Sequence, residues 1–240
     1  MLADQLITAR SGNFRPDIHK PGTYPLELID FIADELPQWR DDIHQKSETS
    51  EPVLTGYLCD YLNEVARTSE GWSHIQFRPE VKDEIQRGRT IDLTAKPCGA
   101  TIYIEGRKHT LYDTLLPIEC KRLPTPKGKR RDHREYVITQ FGSTGGIQRF
   151  KYGFHGSKYK IAAMIAYVQE ETAEHWLSQV NYWIEGTFQD DDSDWDESDK
   201  LEMIKHDESV GLSSLISSHQ RPNELGKIEL RHLWILMLKP

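Results

Sequence analysis

The run Leu116-Pro117-Ile118-Glu119-Cys120-Lys121-Arg122-Leu123 constrains this chain more than any other stretch. Its apolar residues read as a strand. The alternation of a strand sends Glu119 and Lys121 to one face and Ile118, Cys120 and Arg122 to the other. Opposite charges inside an apolar run are costly to bury unless they are paired or bound to a metal. The fold must therefore seat this strand in a sheet and still give its two charges partners. A second strand-like run, Thr90-Ile91-Asp92-Leu93-Thr94, carries one acid at its centre, 27 positions before Glu119.

Around these runs the pattern alternates between helix and strand. Leu28, Ile29, Ile32 and Leu36 recur at helical spacing over 25–39, where Pro37 should help to stop the helix. Residues 1–23, with Gly12, Pro16, Pro21 and Gly22, read as a loosely packed arm, and 40–49 as a polar connection. A second helix is expected from Ser50, with Val53, Leu54, Tyr57, Leu58, Tyr61, Leu62 and Val65 as its apolar stripe. Thr49 or Ser50 suits its N-cap and Pro52 its first turn. Glu51 continues the buried face of that helix, while Asp60 and Glu64 fall nearer the solvent. Strands are expected at 74–79, 90–96, 101–105 and 115–123, then a loop over 124–134. A flexible glycine-rich entry leads to a short helix over 147–154. A strand at 161–168 and a helix at 171–184 follow. Residues 189–199 read as loop or disorder, 201–218 as a short helix and 228–238 as a final strand. The chain is thus α/β, with a mixed central sheet flanked by helices. One domain over 50–240 would carry the arm and first helix (1–49) packed against it.

Composition narrows the function. The longest wholly apolar run, Ile161 to Val168, is far too short to cross a bilayer, and no apolar leader opens the chain, so a cytoplasmic protein without a membrane partner is expected. Three widely spaced cysteines (Cys59, Cys98, Cys120) give neither a disulfide framework nor a four-cysteine metal site. The net charge of −8 is unevenly distributed. Residues 189–199 hold seven acids, and without them 30 bases face 31 acids; residues 121–134 hold seven Lys/Arg against one Asp. A basic loop directly after the charged strand suits phosphate contact.

An Asp on one strand and Glu-x-Lys on a neighbour resembles the PD-(D/E)XK nuclease superfamily, with Ile91 standing where the motif has proline. The resemblance covers about residues 50–185. It implies a restriction-endonuclease-like αβββαβ core and a metal-dependent DNA endonuclease, with a place in restriction or anti-phage defence. It further implies Mg²⁺ (or Mn²⁺) held by Asp92, Glu119 and the Cys120 carbonyl, with Lys121 against the scissile phosphate. Glu51 answers to the helix-borne acid that often joins such sites, although a first-turn acid also complements the helix dipole. Gln148 and Tyr152 have the QxxxY spacing of RecB-like members, whose side chains line the active site. Lys127, Lys129, Arg130, Arg131, Arg134, Arg149 and Tyr152 are the expected nucleic-acid contacts. The implied partners are DNA, a second copy of the chain in a homodimer, and a helicase/ATPase or other defence-system protein.

Other readings stay open. Asp92 paired with Arg89 or a lysine, and Glu119 with Lys121 or Arg122, would be a purely structural arrangement. A repair, recombination or transposition nuclease, an idle nuclease fold that only binds, and a ribonuclease are alternatives of function. Glu105 and Glu80 are competing acids. Ser217, Ser218 and His219 read as a cap or loop, and Trp195 as part of a solubilising acidic insert or a docking residue. Cys120 with His133 is a remote nucleophile–base pair.

Overall fold

In the computed structural model the described residues are 24–42, 50–83, 89–99, 101–104, 106–142, 145–189 and 193–237. The arm at 1–23, the connection 43–49 and Glu105 lie outside them. Helices α1 (Tyr24–Asp41) and α2 (Glu51–Thr68) come first, then strands β1 (Ile75–Lys82) and β2 (Thr90–Pro97). A small hairpin, β3 (Ile102–Ile104) and β4 (Arg107–His109), precedes β5 (Leu116–Leu123). Then come α3 (Gly146–Lys151), β6 (Ile161–Val168), α4 (Ala173–Glu185), β7 (Glu202–Asp207), β8 (Leu212–Gln220) and β9 (Lys227–Leu236).

Seven strands form one mixed sheet in the order β1-β2-β5-β6-β9-β8-β7. β5, β6 and β9 run parallel at its centre, with antiparallel pairs on each side. β6 is apolar almost throughout because helices cover both of its faces. On one face Ile118, Cys120, Ile165, Tyr167, Leu233 and Ile235 pack beneath α1 and α2. On the other, Leu123, Met164, Ala166, Leu230 and Trp234 pack with α3 and α4. Among the described residues no helix is long and apolar enough to cross a membrane.

Several expectations need correction. Pro37 lies inside α1, which continues to Asp41; there Arg40 anchors the helix end by donating to the carbonyls of Val210 (2.7 Å) and Leu236 (3.1 Å). Ser50 does flank the start of α2 and Pro52 sits in its first turn. The buried stripe of α2 includes Thr55 and Cys59, however, and leaves Val53 and Tyr57 exposed. The segment 201–218 holds the strands β7 and β8 in place of a helix. The acidic stretch is not a loose insert over its described part: Trp195 and Asp199 are 5% and 1% exposed. In the glycine-rich entry to α3, Ser143 and Thr144 lie outside the described residues, but Gly145 and Gly146 are tightly packed. A Cβ on Gly146 would come within 2.6 Å of Met164 Cε and 2.7 Å of the Tyr136 carbonyl. This close approach lets the first amides of α3 donate to the carbonyls of Glu135, Tyr136 and Val137, filling positions that a helix start leaves open.

Candidate active site

β2 and β5 pair over only three positions, Leu93–Ile118, Thr94–Pro117 and Ala95–Leu116. Beyond Ile118 the two strands part, and among the described residues β6 alone pairs with β5 there. An amide of β5 on the opened side needs an acceptor. Two carboxylates supply it. Asp92 Oδ2 accepts from the Cys120 amide at 3.0 Å, and Glu51 Oε2, from the first turn of α2, accepts from the Arg122 amide at 3.1 Å. The split in the sheet is thus filled by acids, and it brings α2, β2 and β5 to one point.

Lys121 Nζ occupies that point. It lies 2.7 Å from Glu119 Oε1, 2.9 Å from the Cys120 carbonyl, 3.3 Å from Glu51 Oε1 and 3.4 Å from Asp92 Oδ2. The alternation expected of β5 holds: Glu119 and Lys121 share the face of α3 and α4, and Ile118 and Cys120 face α1 and α2. Glu119 is fully buried. Arg149 of α3 bonds its Oε1, and His155 Nδ1 lies 3.3 Å from its Oε2. The positive φ of Gly156 (+60°) turns the chain there, and its amide is held by Asp83 at 3.1 Å.

The electrostatics divide the acids. Burial opposes the charge of Glu119, but Lys121 and Arg149 outweigh it and hold this carboxyl well below the usual range. Asp92 goes the other way: burial first, then repulsion from Glu119, push it up to about 6. Burial opposes the charge of Lys121, yet Asp92, Glu119 and Glu51 keep it firmly protonated. The Cys120 thiol is driven up by burial and faces Tyr167 and Thr55, on the other side of β5 from the Glu119 carboxyl. His133 packs on Trp183 of α4 at 5.7 Å. That separation removes the Cys120–His133 pair as a nucleophile and base.

The other expected residues are dispersed. Gln148 caps its own helix, its Oε1 taking the amides of Gly145 (3.3 Å) and Thr139 (3.4 Å). Arg149, expected on nucleic acid, is spent on Glu119. Tyr152 lies beside Phe154 and near Asp194, Trp195 and Asp199, away from the acids of β2 and β5. In the basic loop Arg131 pairs with Glu135 (2.5 Å) and Arg134 with Asp132 (3.1 Å); Lys127, Lys129 and Arg130 are exposed. His155 gave no signal in the sequence, because only the turns after α3 bring it back to β5.

Among the described residues no three His, Cys, Asp or Glu side chains are closed at metal-ligand spacing. Lys121 stands between the carboxylates. The donor set is nevertheless one that hard cations use, three carboxylates and a peptide carbonyl. These oxygens already hold one cation, the Lys121 ammonium.

A Ser–His–Asp chain also occurs, at Ser217, His219 and Asp199. It belongs to a longer one whose direction is set by Trp234, which can only donate. Trp234 Nε1 donates to Tyr136 Oη (2.8 Å), so the tyrosine proton goes to His232 Nδ1 (2.8 Å). His232 Nε2 then donates to Ser217 (2.8 Å), Ser217 to His219 Nε2 (2.7 Å), and His219 Nδ1 to Asp199 (2.6 Å). Lys151 closes the chain with 2.9 Å bonds to both Asp199 oxygens. Burial keeps both histidines neutral. Ser217 is 3% exposed and its oxygen already serves both rings, so this chain is a structural strut. The sequence reading of Ser217, Ser218 and His219 as a cap or loop is corrected: all three lie on β8.

No family model, no curated protein and no solved structure matches this chain.

Proposed function

We propose that this chain is a metal-dependent nuclease that hydrolyses the phosphodiester backbone of DNA, with α2, β1, β2, β5, α3 and β6 as a restriction-endonuclease-like αβββαβ core. The observation that supports this reading best is the split between β2 and β5. There Glu51, Asp92, Glu119 and the Cys120 carbonyl converge on a single cationic point. Asp92, Glu119 and the Cys120 carbonyl, with Glu51 beside them, would hold Mg²⁺ or Mn²⁺. Such an ion supplies a water of lowered pKa and a counter-charge for the transition state. Lys121 and Arg149 now neutralise Glu119, and an arriving phosphate would compete for the same ammonium and guanidinium. Burial and Glu119 push the Asp92 carboxyl up, and it must lose its proton before it can serve as a ligand, so metal affinity should fall as pH is lowered. Lys127, Lys129 and Arg130 would hold the flanking backbone without reading its sequence, which makes binding sensitive to salt.

The test compares wild type with Lys121→Ala and Asp92→Ala on supercoiled plasmid, linear duplex, single-stranded DNA and RNA, at low salt with Mg²⁺ or Mn²⁺. Metal-dependent DNA cutting is expected, slowed by about 10²-fold or more in either variant. Equal cutting by all three proteins would overturn the assignment of the site, and cutting of RNA alone would overturn the substrate.

A further inference from the structure

A pocket of about 300 Å³ opens between the start of α1, the β3–β4 hairpin and the loop leading into β6. Its floor is apolar, from Ile104, Leu115 and Ile161, with the Tyr159 ring in the wall. Its charged rim is lopsided: Arg107, Lys158 and Lys160 stand against Asp113. Asp113 accepts from the amide and hydroxyl of Thr110 at 2.7 and 2.9 Å and also faces Arg107 and His109, so three cations of the rim meet one acid. His109 lines the same pocket, and its Nδ1 is buried without a hydrogen-bond partner. Such an atom is costly unless a water or a ligand satisfies it. A smaller crevice shares Thr114, Lys158 and Tyr159 with this pocket and extends to Ile91 and Gly156. Those two residues are the chain neighbours of Asp92 and His155.

An apolar slot with an aromatic wall, a cationic rim and one unsatisfied ring nitrogen suits a flat heteroaromatic body that carries an anionic tail. We propose that the pocket binds one unpaired nucleotide of the substrate strand, its base between the apolar walls and its phosphate at Arg107, Lys158 and Lys160. This rests on the nuclease reading for its meaning and narrows it. The preferred substrate holds an unpaired or extruded nucleotide on the strand that is cut, because removing a base from a duplex costs free energy that an unpaired base avoids.

The binding test needs no catalysis. The four deoxynucleoside 5′-monophosphates, the corresponding nucleosides and inorganic phosphate are titrated without metal into wild type, Lys121→Ala, and Arg107→Ala combined with Lys160→Ala. Both rim residues are exposed, so the double variant should fold. Monophosphates are expected to bind wild type and Lys121→Ala alike. Loss of the rim should weaken them at least tenfold, and nucleosides and phosphate alone should bind at least tenfold more weakly than the monophosphates. Absence of monophosphate binding, or binding indifferent to the rim, overturns the pocket. Binding of phosphate as tight as that of monophosphates reduces it to an anion site and overturns the base slot. DNA cutting without nucleotide binding would sink this inference alone; nucleotide binding without any cutting would sink the nuclease reading and leave the pocket standing.

Discussion

Lys121 and Lys151 are both buried lysines that bond carboxylates on the same face of the sheet, yet their surroundings are built on opposite principles. Around Lys151 the account closes. Asp199 takes Lys151 and His219, and each proton from Trp234 to Asp199 has one donor and one acceptor. Burial works against the charge of Asp199, but the bonds from His219 and Lys151 prevail and hold its carboxyl below the ordinary value. Around Lys121 the account stays open. Three acids crowd one ammonium, Asp92 is held with its pKa raised, and Glu119 Oε2 and His155 Nδ1 lie close without a proper hydrogen bond. A satisfied buried network specifies a fold; strained acids gathered at a split sheet indicate a site kept ready for something else.

The contrast can be broken by substitution. Asp199→Ala should be the most damaging, leaving a buried ammonium without its partner at a cost of about 3–5 kcal/mol in urea denaturation at pH 7. A loss below ~1 kcal/mol would deny the network its structural role. At the other cluster, Mn²⁺ at a hundred times its dissociation constant should stabilise wild type by about 2.7 kcal/mol and Asp92→Ala not at all; equal shifts in melting temperature would place the metal elsewhere. Tyr136→Phe should cost about 1–3 kcal/mol, since it leaves Trp234 Nε1 and His232 Nδ1 without their shared hydroxyl. The smallest effect should have the opposite sign. Asp92 binds its proton more tightly folded than unfolded, so the stability this adds is complete below pH ~4 and lost as pH rises to about 6. Asp92→Asn escapes that loss. It should be more stable than wild type at pH 8 by on the order of 1 kcal/mol, a figure reduced for the 27% exposure of the side chain. The gain should fade towards pH 4. An Asn variant that is less stable at pH 8 would show that Asp92 is as settled as Asp199.

The sequence disclosed the elements whose inward faces are apolar. β6 was legible to the residue, and α2 with Ser50 and Pro52 nearly so, because burial on both faces or along one stripe leaves an unbroken hydrophobic record. β8 failed for the converse reason. Its buried positions are Ser213, Leu215, Ser217 and His219, so the inward face is largely polar. Leu212, Leu215 and Ile216 then mimic helical spacing. The acidic stretch misled in the same way: seven acids announce solvent, and nothing local shows that Asp199 is buried against Lys151. At the candidate site Asp92, Glu119 and Lys121 stood out because charge inside an apolar run is conspicuous, and Glu51 because it continues the buried face of α2; the structure brings the four together. The pairing of Arg149 with Glu119 and the approach of His155 were not legible, since both depend on how closely α3 packs at Gly146 and on the turn after it.

The parting of β2 from β5 has a consequence for how the molecule behaves among its own copies. A sheet that opens at its middle exposes a new border, and a bare border recruits foreign strands. Here the amides of Cys120 and Arg122 are already capped by the carboxylates of Asp92 and Glu51. An intruding backbone would have to evict two acids tethered to separate elements and held by the same lysine. The acids that shape the site therefore also guard the opened sheet against strand addition and aggregation.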